Sequence, residues 1–408
     1  MTRRVVRNAR LFDSSAGVLR PGTTVVIEGE RVAAVTQEPV RVDDAEVIDA
    51  EGRVVLPGLI DAHVHVSATS HDLASLALQP ESLIGAESSR VMAAMLRRGF
   101  TTVRDAAGAD WGLQAAVQRG LYEGPRLFIS VMPITQTGGH ADQRPRGVRG
   151  AMYCSCAGLG LVGAVADGVG EVRRAVREQV RQGANQIKIM AGGGISSPTD
   201  PIDGTQYSME ELRAAVEEAE AANLYALAHA YSPRAVTRAV QAGVRSIEHG
   251  NLIDEATVRE MKKAGAFLVP TLATYSALAD EGARLGWSPE MLAKLDRVTA
   301  AGAAALRLAQ EEGVPVVFGT DLLGHMHGRQ NSEFVLRSKV QTPVQILQGA
   351  TIHAARMMKR EGEIGQIVPG AWADLLVLDG DPTADATLLA EPARAIRVLM
   401  QGGRVVTP

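Results

Sequence analysis

The hydrophobic pattern separates two β-rich ends of the chain from a middle in which strand-like and helix-like segments alternate. Near both termini, short apolar runs follow one another through turn residues such as Glu28-Gly29-Glu30, and no helical period fits between them. We expect strands at Arg4–Val6, Thr23–Glu28, Arg31–Val35, Glu46–Asp49, Asp374–Leu378, Ala395–Gln401 and Arg404–Val406. Because these runs lie at both ends, residues 1–55 and 366–408 are predicted to form one small β-sandwich domain.

The middle of the chain, residues 56–365, alternates between apolar runs and Ala-, Glu- and Arg-rich segments with helical spacing, such as Met209–Ala222 and Ala300–Glu312. The apolar runs are Leu59–His65, Thr101–Asp105, Arg126–Val131, Gln186–Met190, Tyr225–His229, Ser246–His249, Phe267–Thr271 and Val316–Asp321. Eight strand–helix units within about 300 residues favour a (β/α)8 TIM-type barrel. An open, doubly wound parallel sheet is the alternative.

Composition narrows the class of protein. Of the 408 residues, 46% are hydrophobic and 22% are charged, as in ordinary globular domains, and the net charge of −4 provides no basic surface for nucleic acid. Met1–Arg10 carries four arginines and no apolar core of a secretory signal, and no segment reaches the ~18 uncharged apolar residues of a membrane helix. We therefore expect a cytoplasmic protein that binds neither nucleic acid nor membrane.

Cys154 and Cys156 are expected to be reduced loop thiols, since a lone CxC lacks the partners of a zinc site.

Polar residues stand at the ends of the apolar runs, where a barrel places its active site. His63 and His65 are two apart on one strand and therefore share a face. Later runs end in His229, His249 and Asp321. Each histidine alone would more often be a hydrogen-bonded core residue, but four imidazoles and a carboxylate on one rim indicate a site for zinc or a similar divalent ion.

Lys188 lies inside the apolar run Ile187–Met190, in a chain that has only six lysines. Its ammonium group could form a salt bridge with a buried carboxylate such as Asp105. Burial among apolar neighbours would instead favour the neutral amine, which can add carbon dioxide to give a carbamate able to bridge two metals.

Other candidates lie in the loops that follow the strands. His140 follows the third run behind Gly138-Gly139, and Tyr231 lies two residues beyond His229, so both could face a substrate, although either could also be a structural loop residue. His325 and His327 also form an HxH pair, but glycines flank them and we expect rim or surface residues. His71 and His353 have no convergent partners in the sequence.

The sequence LPGLIDAHVH at Leu56–His65, followed in order by Lys188, His229, His249 and Asp321, resembles the amidohydrolase superfamily over essentially the whole chain. That order is specific for its branch with a carboxylated lysine and two metals. Longer segments resemble the imidazolonepropionase-related metallo-dipeptidases (prolidases) and amino-acid carboxypeptidases; they are Gln186–Gly194, Leu227–Pro233, Glu248–Asp254 and Phe318–Gly324.

The resemblance implies roles for these residues. His63, His65 and Asp321 would bind the first of two divalent metal ions, with zinc the expected ion, although cobalt, manganese and iron also suit these ligands. His229 and His249 would bind the second, and N6-carboxylysine at Lys188 would bridge both. A metal-bridging hydroxide would attack the amide carbonyl, His140 would polarise it and Asp321 would transfer the proton. Tyr231 would hold the free carboxylate of the substrate.

The implied activity is hydrolysis of Xaa-Pro and other dipeptides or of N-acyl amino acids, by a homo-oligomer acting on small molecules. The alternatives are a xenobiotic amide hydrolase, acting on ochratoxin-type amides, carbamates or ureas, and a cyclic-amide hydrolase or deaminase. The deaminase branch generally has one metal and no bridging lysine. A non-catalytic metal-binding scaffold is the remaining possibility.

Overall fold

The computed structural model describes residues 2–148, 150, 159–197, 200–282 and 284–406, so the predicted loop thiols Cys154 and Cys156 lie outside the described residues. The strands are β1 (Arg3–Asp13), β2 (Val18–Glu28), β3 (Arg31–Thr36), β4 (Glu46–Asp49), β5 (Val54–Pro57), β6 (Leu59–Val64), β7 (Phe100–Asp105), β8 (Arg126–Ile129), β9 (Ile134–Thr135), β10 (Ala164–Val165), β11 (Ile187–Met190), β12 (Ala226–Ala230), β13 (Ser246–His249), β14 (Phe267–Val269), β15 (Leu375–Leu378), β16 (Ile396–Gln401) and β17 (Arg404–Val406).

The helices are α1 (Leu73–Leu76), α2 (Glu81–Arg97), α3 (Trp111–Gln118), α4 (Gly168–Arg181), α5 (Met209–Ala221), α6 (Pro233–Gln241), α7 (Glu255–Ala264), α8 (Leu272–Glu281), α9 (Pro289–Glu312), α10 (Ser332–Ser338), α11 (Pro343–Gly349), α12 (Ile352–Met357) and α13 (Pro392–Ala395). Short 3₁₀ turns occupy Gly324–Arg329 and Ala386–Ala390.

Strands from both chain ends form one sheet in the order β17-β16-β15-β5-β1-β2-β3, with β4 beside β1. The edge strand β3 also contacts the segment that leads into β15, because Val32 N donates to Ala371 O and Ala373 N donates to Glu30 O. Side chains such as Val25, Ile27 and Leu375 fill the interior. The predicted β-sandwich built from both termini is therefore confirmed. The exact domain boundaries, 55/56 and 365/366, stay a prediction, and β5 pairs within this sheet before the chain enters β6.

Parallel strands of the middle form the barrel wall. The strands β6, β7 and β8 pair in one group, and β11, β12, β13 and β14 in the other. Asn185 N donates to Ile129 O (2.7 Å), and β9, which follows β8, pairs with β11, so the groups join on one side. On the other side, Val317 N donates to Leu268 O and Ala62 N to Phe318 O, both at 2.8 Å. The ring of eight parallel segments is thus closed, as the TIM-type barrel prediction requires.

Helix α5 shows how the sequence builds the outer layer. The Ser208 hydroxyl accepts from Glu211 N, and the Glu211 carboxylate accepts from Ser208 N, which forms a capping box at the start of the helix. Four of its five buried residues recur at helical spacing and face the barrel; they are Leu212, Ala215, Val216 and Ala219. Among the described residues, none of the helices combines the length and apolar character that crossing a membrane would require.

Candidate metal centre

The carboxyl ends of four barrel segments leave the wall through left-handed backbone. The φ angles are 63° at Val131, 79° at His249, 48° at Thr271 and 54° at Asp321. Each such conformation costs a non-glycine residue roughly 1–2 kcal/mol, and such residues cluster at functional sites. The fold therefore tolerates strain at the barrel mouth, where two of the four residues are candidate ligands.

His63, on β6, and His65, in the turn after it, each have one ring nitrogen hydrogen-bonded to a group outside the candidate ligand set. His63 Nδ1 donates to Glu248 Oε2 at 2.6 Å, and His65 Nδ1 donates to the carbonyl oxygen of Ala107 at 2.8 Å. A carboxylate or carbonyl can only accept, so both imidazoles carry the proton on Nδ1. When such a ring is neutral, as metal ligation requires, its Nε2 has the lone pair that can bind a metal.

His229, near the end of β12, and His249, the last residue of β13, also each have one ring nitrogen in contact with an oxygen of a neighbouring residue. His229 Nε2 donates to Gly193 O at 3.0 Å, which leaves Nδ1 free, whereas His249 Nδ1 contacts Thr271 Oγ1 at 2.8 Å, which leaves Nε2 free. The ring centroids of His229 and His249 lie 4.6 Å apart. Burial lowers the pKa of both imidazoles well below the usual value, so both are neutral, as ligation requires.

Asp321 joins these histidines. Its Oδ1 lies 3.0 Å from His65 Nε2 and 3.4 Å from His63 Nε2, and its Oδ2 lies 4.0 Å from His249 Nδ1. Although burial opposes ionisation, the neighbouring imidazoles hold the pKa of Asp321 well below its usual range. Ligand atoms of His63, His249 and Asp321 all lie within 4.8 Å of one another.

One buried atom in this group lacks a hydrogen-bond partner among the described residues, and it is His63 Nε2. A buried imidazole nitrogen without a partner is unfavourable unless something else satisfies it. A carboxylate and neutral imidazoles with inward lone pairs are the donors that zinc and similar divalent ions prefer. The donor set therefore fits a metal ion.

Lys188 is almost fully buried on β11, with 2% of its surface exposed. Burial lowers the pKa of its amine to about 8, which raises the fraction of neutral, nucleophilic amine. The predicted alternative partner, Asp105, instead accepts from the backbone of Val66 (2.7 Å) and Ala109 (3.1 Å). Within the described part of the chain, no carboxylate lies within 4.0 Å of the Lys188 amine. The predicted alternative, a salt bridge between Lys188 and a buried carboxylate, is therefore not formed.

His140 reaches the centre from the loop after β9. Its ring stacks on that of His229 with centroids 4.2 Å apart, and its Nδ1 lies 3.8 Å from Asp200 Oδ2. A Cβ atom at Gly194 would lie 1.8 Å from His140 Cε1, so only glycine allows this approach. The loop histidine predicted to face the substrate therefore lies directly beside a candidate metal ligand.

Tyr231 packs against the same histidines. Its ring lies 5.2 Å from that of His249 and 4.9 Å from that of His229, and its hydroxyl accepts from Tyr275 Oη at 3.1 Å. Burial raises the pKa of the Tyr231 hydroxyl, so it is a neutral group that can donate a hydrogen bond.

A buried ion pair between Arg104 and Glu248 lies beside His63 and was not predicted from the sequence. Arg104 Nη2 lies 2.8 Å from both carboxylate oxygens of Glu248, while Arg104 Nη1 donates to Ser246 Oγ at 3.0 Å. Burial opposes ionisation of Glu248, but Arg104 and His63 hold its pKa well below the usual range. The feature of the sequence that could have indicated a role for Glu248 is its position directly before His249 at a strand end.

Three other histidines contact groups outside the candidate ligand set. His325 is 63% exposed and pairs with Glu281, as expected for a rim or surface residue. His327 differs from that expectation, because it is buried and its Nε2 contacts Ala68 O at 3.1 Å. His353 Nδ1 contacts Val316 O at 3.2 Å and is structural.

A closed parallel barrel with histidines, a lysine and an aspartate at its mouth defines the amidohydrolase class, and the chain belongs to the amidohydrolase family, whose model matches residues 54–406. It is a hydrolytic enzyme acting on amide bonds. The chain is 49% identical to a prolidase solved in complex with N-methylphosphonate-L-proline, with a TM-score of 0.96 and 100% of both chains covered. It is 33% identical to ochratoxinase from Aspergillus niger over 365 residues, 86% of this chain and 75% of the relative. A Xaa-Pro dipeptidase with bound methionine is 27% identical, with a TM-score of 0.88 and 100% of both chains covered.

Proposed function

We propose that this chain is a dipeptidase or N-acyl amino acid hydrolase, of the Xaa-Pro dipeptidase or carboxypeptidase type, with two divalent metal ions at the barrel mouth. The observation that carries the proposal is the common arrangement of four histidines, each with one ring nitrogen held by a group outside the candidate ligand set, so that the other nitrogen can face a metal. Metal-ligating histidines almost always have their other ring nitrogen held by a carboxylate, a carbonyl or a similar group, as these four do.

The ligand assignment follows the resemblance to the amidohydrolase superfamily. His63, His65 and Asp321 would hold one ion, and His229 and His249 the other. Lys188, as its carbamate, would bridge both, and its buried amine with a pKa near 8 supports this chemistry. When bound, such ions lower the pKa of water toward ~7 and polarise a carbonyl group, and zinc is the expected ion.

The chain's own residues would carry the proton and orient the substrate. Asp321, ionised and 3.0 Å from His65 Nε2, would accept the proton of the attacking water and return it to the leaving amine. His140, stacked on His229, would donate to the carbonyl oxygen as negative charge develops there. Tyr231 would hold the free carboxylate of the leaving amino acid.

Two relatives define the substrates to test first. The prolidase binds N-methylphosphonate-L-proline, whose tetrahedral phosphorus has the geometry of a hydrolysing amide, and this supports Xaa-Pro dipeptides. The relation to ochratoxinase supports a second candidate, a xenobiotic amide of an amino acid.

The test is a hydrolysis screen of the zinc-loaded protein against Xaa-Pro, Xaa-Phe and Xaa-Arg dipeptides, N-acyl amino acids and ochratoxin-type amides, with cyclic amides and aminopurines as counter-substrates. We expect turnover of at least one substrate that carries a free carboxylate next to the amide, and loss of turnover on chelation. Bound metal without hydrolysis of any substrate would instead support a non-catalytic scaffold. Turnover confined to cyclic amides or to deamination would overturn the proposal in favour of that branch.

Assembly into a homo-oligomer is a further part of the proposal, and it rests on the family resemblance alone. Sedimentation velocity of the metal-loaded protein would measure it.

A further inference from the structure

Four buried side chains form a continuous path from the centre to the proposed substrate carboxylate. His249 Nδ1 lies 2.8 Å from Thr271 Oγ1, which lies 3.5 Å from Tyr275 Oη, and Tyr275 Oη lies 3.1 Å from Tyr231 Oη. Each of the four residues exposes 3% or less of its surface. The path is therefore shielded from bulk water, and its polar groups depend on one another for hydrogen bonds.

The direction of these hydrogen bonds follows from the first link. If His249 offers Nε2 to a metal, its Nδ1 carries the proton and donates to Thr271 Oγ1. Each hydroxyl has a single proton, so Thr271 then donates to Tyr275, Tyr275 donates to Tyr231, and the Tyr231 proton is left for an acceptor in the site. A chain aligned in one direction polarises each successive donor.

The strained backbone of Thr271, in the middle of the path, indicates that this position requires a particular side chain. Thr271 is β-branched, yet its φ is 48°, a conformation such residues rarely adopt. Glycine or asparagine would be less strained there, but neither would supply a hydroxyl that accepts from His249 and donates to Tyr275. The side chain that is present is one that completes the path.

We infer that Tyr275 and Thr271 are positioning residues that orient the Tyr231 hydroxyl as a donor, and that they thereby select substrates with a free carboxylate beside the scissile amide. This inference rests on the proposed function, in which Tyr231 holds that carboxylate. A hydroxyl fixed as a donor favours an anionic acceptor over a carboxamide, since hydrogen bonds to charged groups are roughly twice as strong as neutral ones. The path also couples metal ligation at His249 to carboxylate binding.

The test compares Tyr275→Phe with wild type on the best-cleaved dipeptide of the screen and on its C-terminal carboxamide. We expect KM for the dipeptide to rise about 10-fold, with kcat within about twofold, because the Tyr231 hydroxyl would no longer be held as a donor and a hydrogen bond to an anion contributes about 1.5 kcal/mol or more. Kinetics on the carboxamide should be unchanged. Tyr207→Phe is the matched control, because it removes a buried hydroxyl that donates to Ala166 O at 3.0 Å.

Thr271 is tested by the pair Thr271→Val and Thr271→Ser, with zinc affinity of the metal-free protein measured by chelator competition as a second readout. Thr271→Val should raise KM for the dipeptide and weaken zinc binding, and Thr271→Ser should restore both. An unchanged KM in Tyr275→Phe, or an equal rise on the carboxamide, would overturn this inference while the proposed function stands. Absence of any turnover by wild type would overturn the proposed function, and this inference with it.

Discussion

The carboxylate of Glu248 accepts a hydrogen bond of 2.6 Å from His63 Nδ1 while Arg104 lies 2.8 Å from the same carboxylate. All three side chains are buried. The arginine keeps the carboxylate ionised inside the barrel, and the carboxylate in turn fixes the imidazole tautomer and makes Nε2 a stronger ligand. The orientation of His63 is therefore set from below the centre, by residues that would not contact a metal.

Glu248→Gln is expected to weaken metal binding about 10- to 100-fold, the range typical when an outer partner of a ligating histidine is changed. The reason is that glutamine keeps the shape of the side chain but removes the charge that polarises His63. Zinc affinity by chelator competition and metal content after dialysis would measure the effect. The control is Glu218→Gln, which removes a carboxylate that pairs with Arg173 and Arg177 on the outer helices. Equal metal affinity in both variants would contradict the prediction.

The fold could be predicted because each barrel strand is a short apolar run bounded by helical segments. The eighth run is the exception, since Leu268 and Val316 form only an isolated bridge. The reason is local: Thr320 and Asp321 both donate to His63 O, and the positive φ at Asp321 ends the extended backbone. The first strand is longer than expected, Arg3–Asp13 rather than Arg4–Val6, because the irregular stretch around Asn8, with its φ of 56°, interrupts the apolar pattern without ending the pairing.

The site could be predicted only as far as strand ends converge. Polar residues ending parallel strands meet at one rim, so the histidines and Asp321 could be grouped from the sequence. The side chains that hold these residues in place could not be predicted in the same way. Arg104 and Glu248 are 144 residues apart, and their contact depends on which side chains face each other inside the closed barrel. Tyr275 lies in α8, where an aromatic residue is more often part of the core.

Lys188→Arg is expected to abolish the two-metal centre, because arginine retains a positive charge and cannot form a carbamate. Metal content should fall, and turnover should fall with it. In wild type, crystallographic density should extend beyond Lys188 Nζ, and a carbamate signal should appear after incubation with ¹³C-bicarbonate. Lys339→Arg, at an exposed position, is the control and should behave like wild type. A plain ammonium at Lys188 in the metal-loaded protein would exclude the bridged arrangement.

Asp321→Asn is expected to reduce turnover about 10²- to 10⁴-fold, the usual contribution of a general acid or base. Asparagine keeps an oxygen that can contact a metal but cannot exchange a proton at neutral pH. Metal content should therefore remain mostly intact, which separates this variant from Lys188→Arg. Steady-state kinetics together with metal analysis would measure both quantities, and unchanged activity would refute the proton-transfer role.

His327 is expected to contribute to loss of stability in acid. Burial lowers its pKa from 6.5 to about 4, so between these values the unfolded chain binds more protons than the folded one. The free energy of unfolding should fall as pH falls from about 6.5 to about 4, by at most about 3 kcal/mol from this residue. His327→Gln, which can still donate to Ala68 O, should show a shallower loss in denaturant titrations across this range. The exposed His325→Gln is the control, and an identical pH dependence for His327→Gln and wild type would contradict the prediction.

Gly194→Ala is expected to displace His140 and so to test the placement of that residue without altering its chemistry. The added methyl group would lie 1.8 Å from His140 Cε1, so the imidazole must leave its position against His229. Turnover should fall about 10²-fold, the scale of losing one donor to a developing oxyanion, while metal content is retained. Gly170→Ala is the control, because a methyl group there meets no atom within 4 Å. If Gly194→Ala acts only by displacing the His140 imidazole, the double variant Gly194→Ala/His140→Ala should turn over no more slowly than His140→Ala alone. Additive losses would instead mean that Gly194 affects catalysis through another part of the loop.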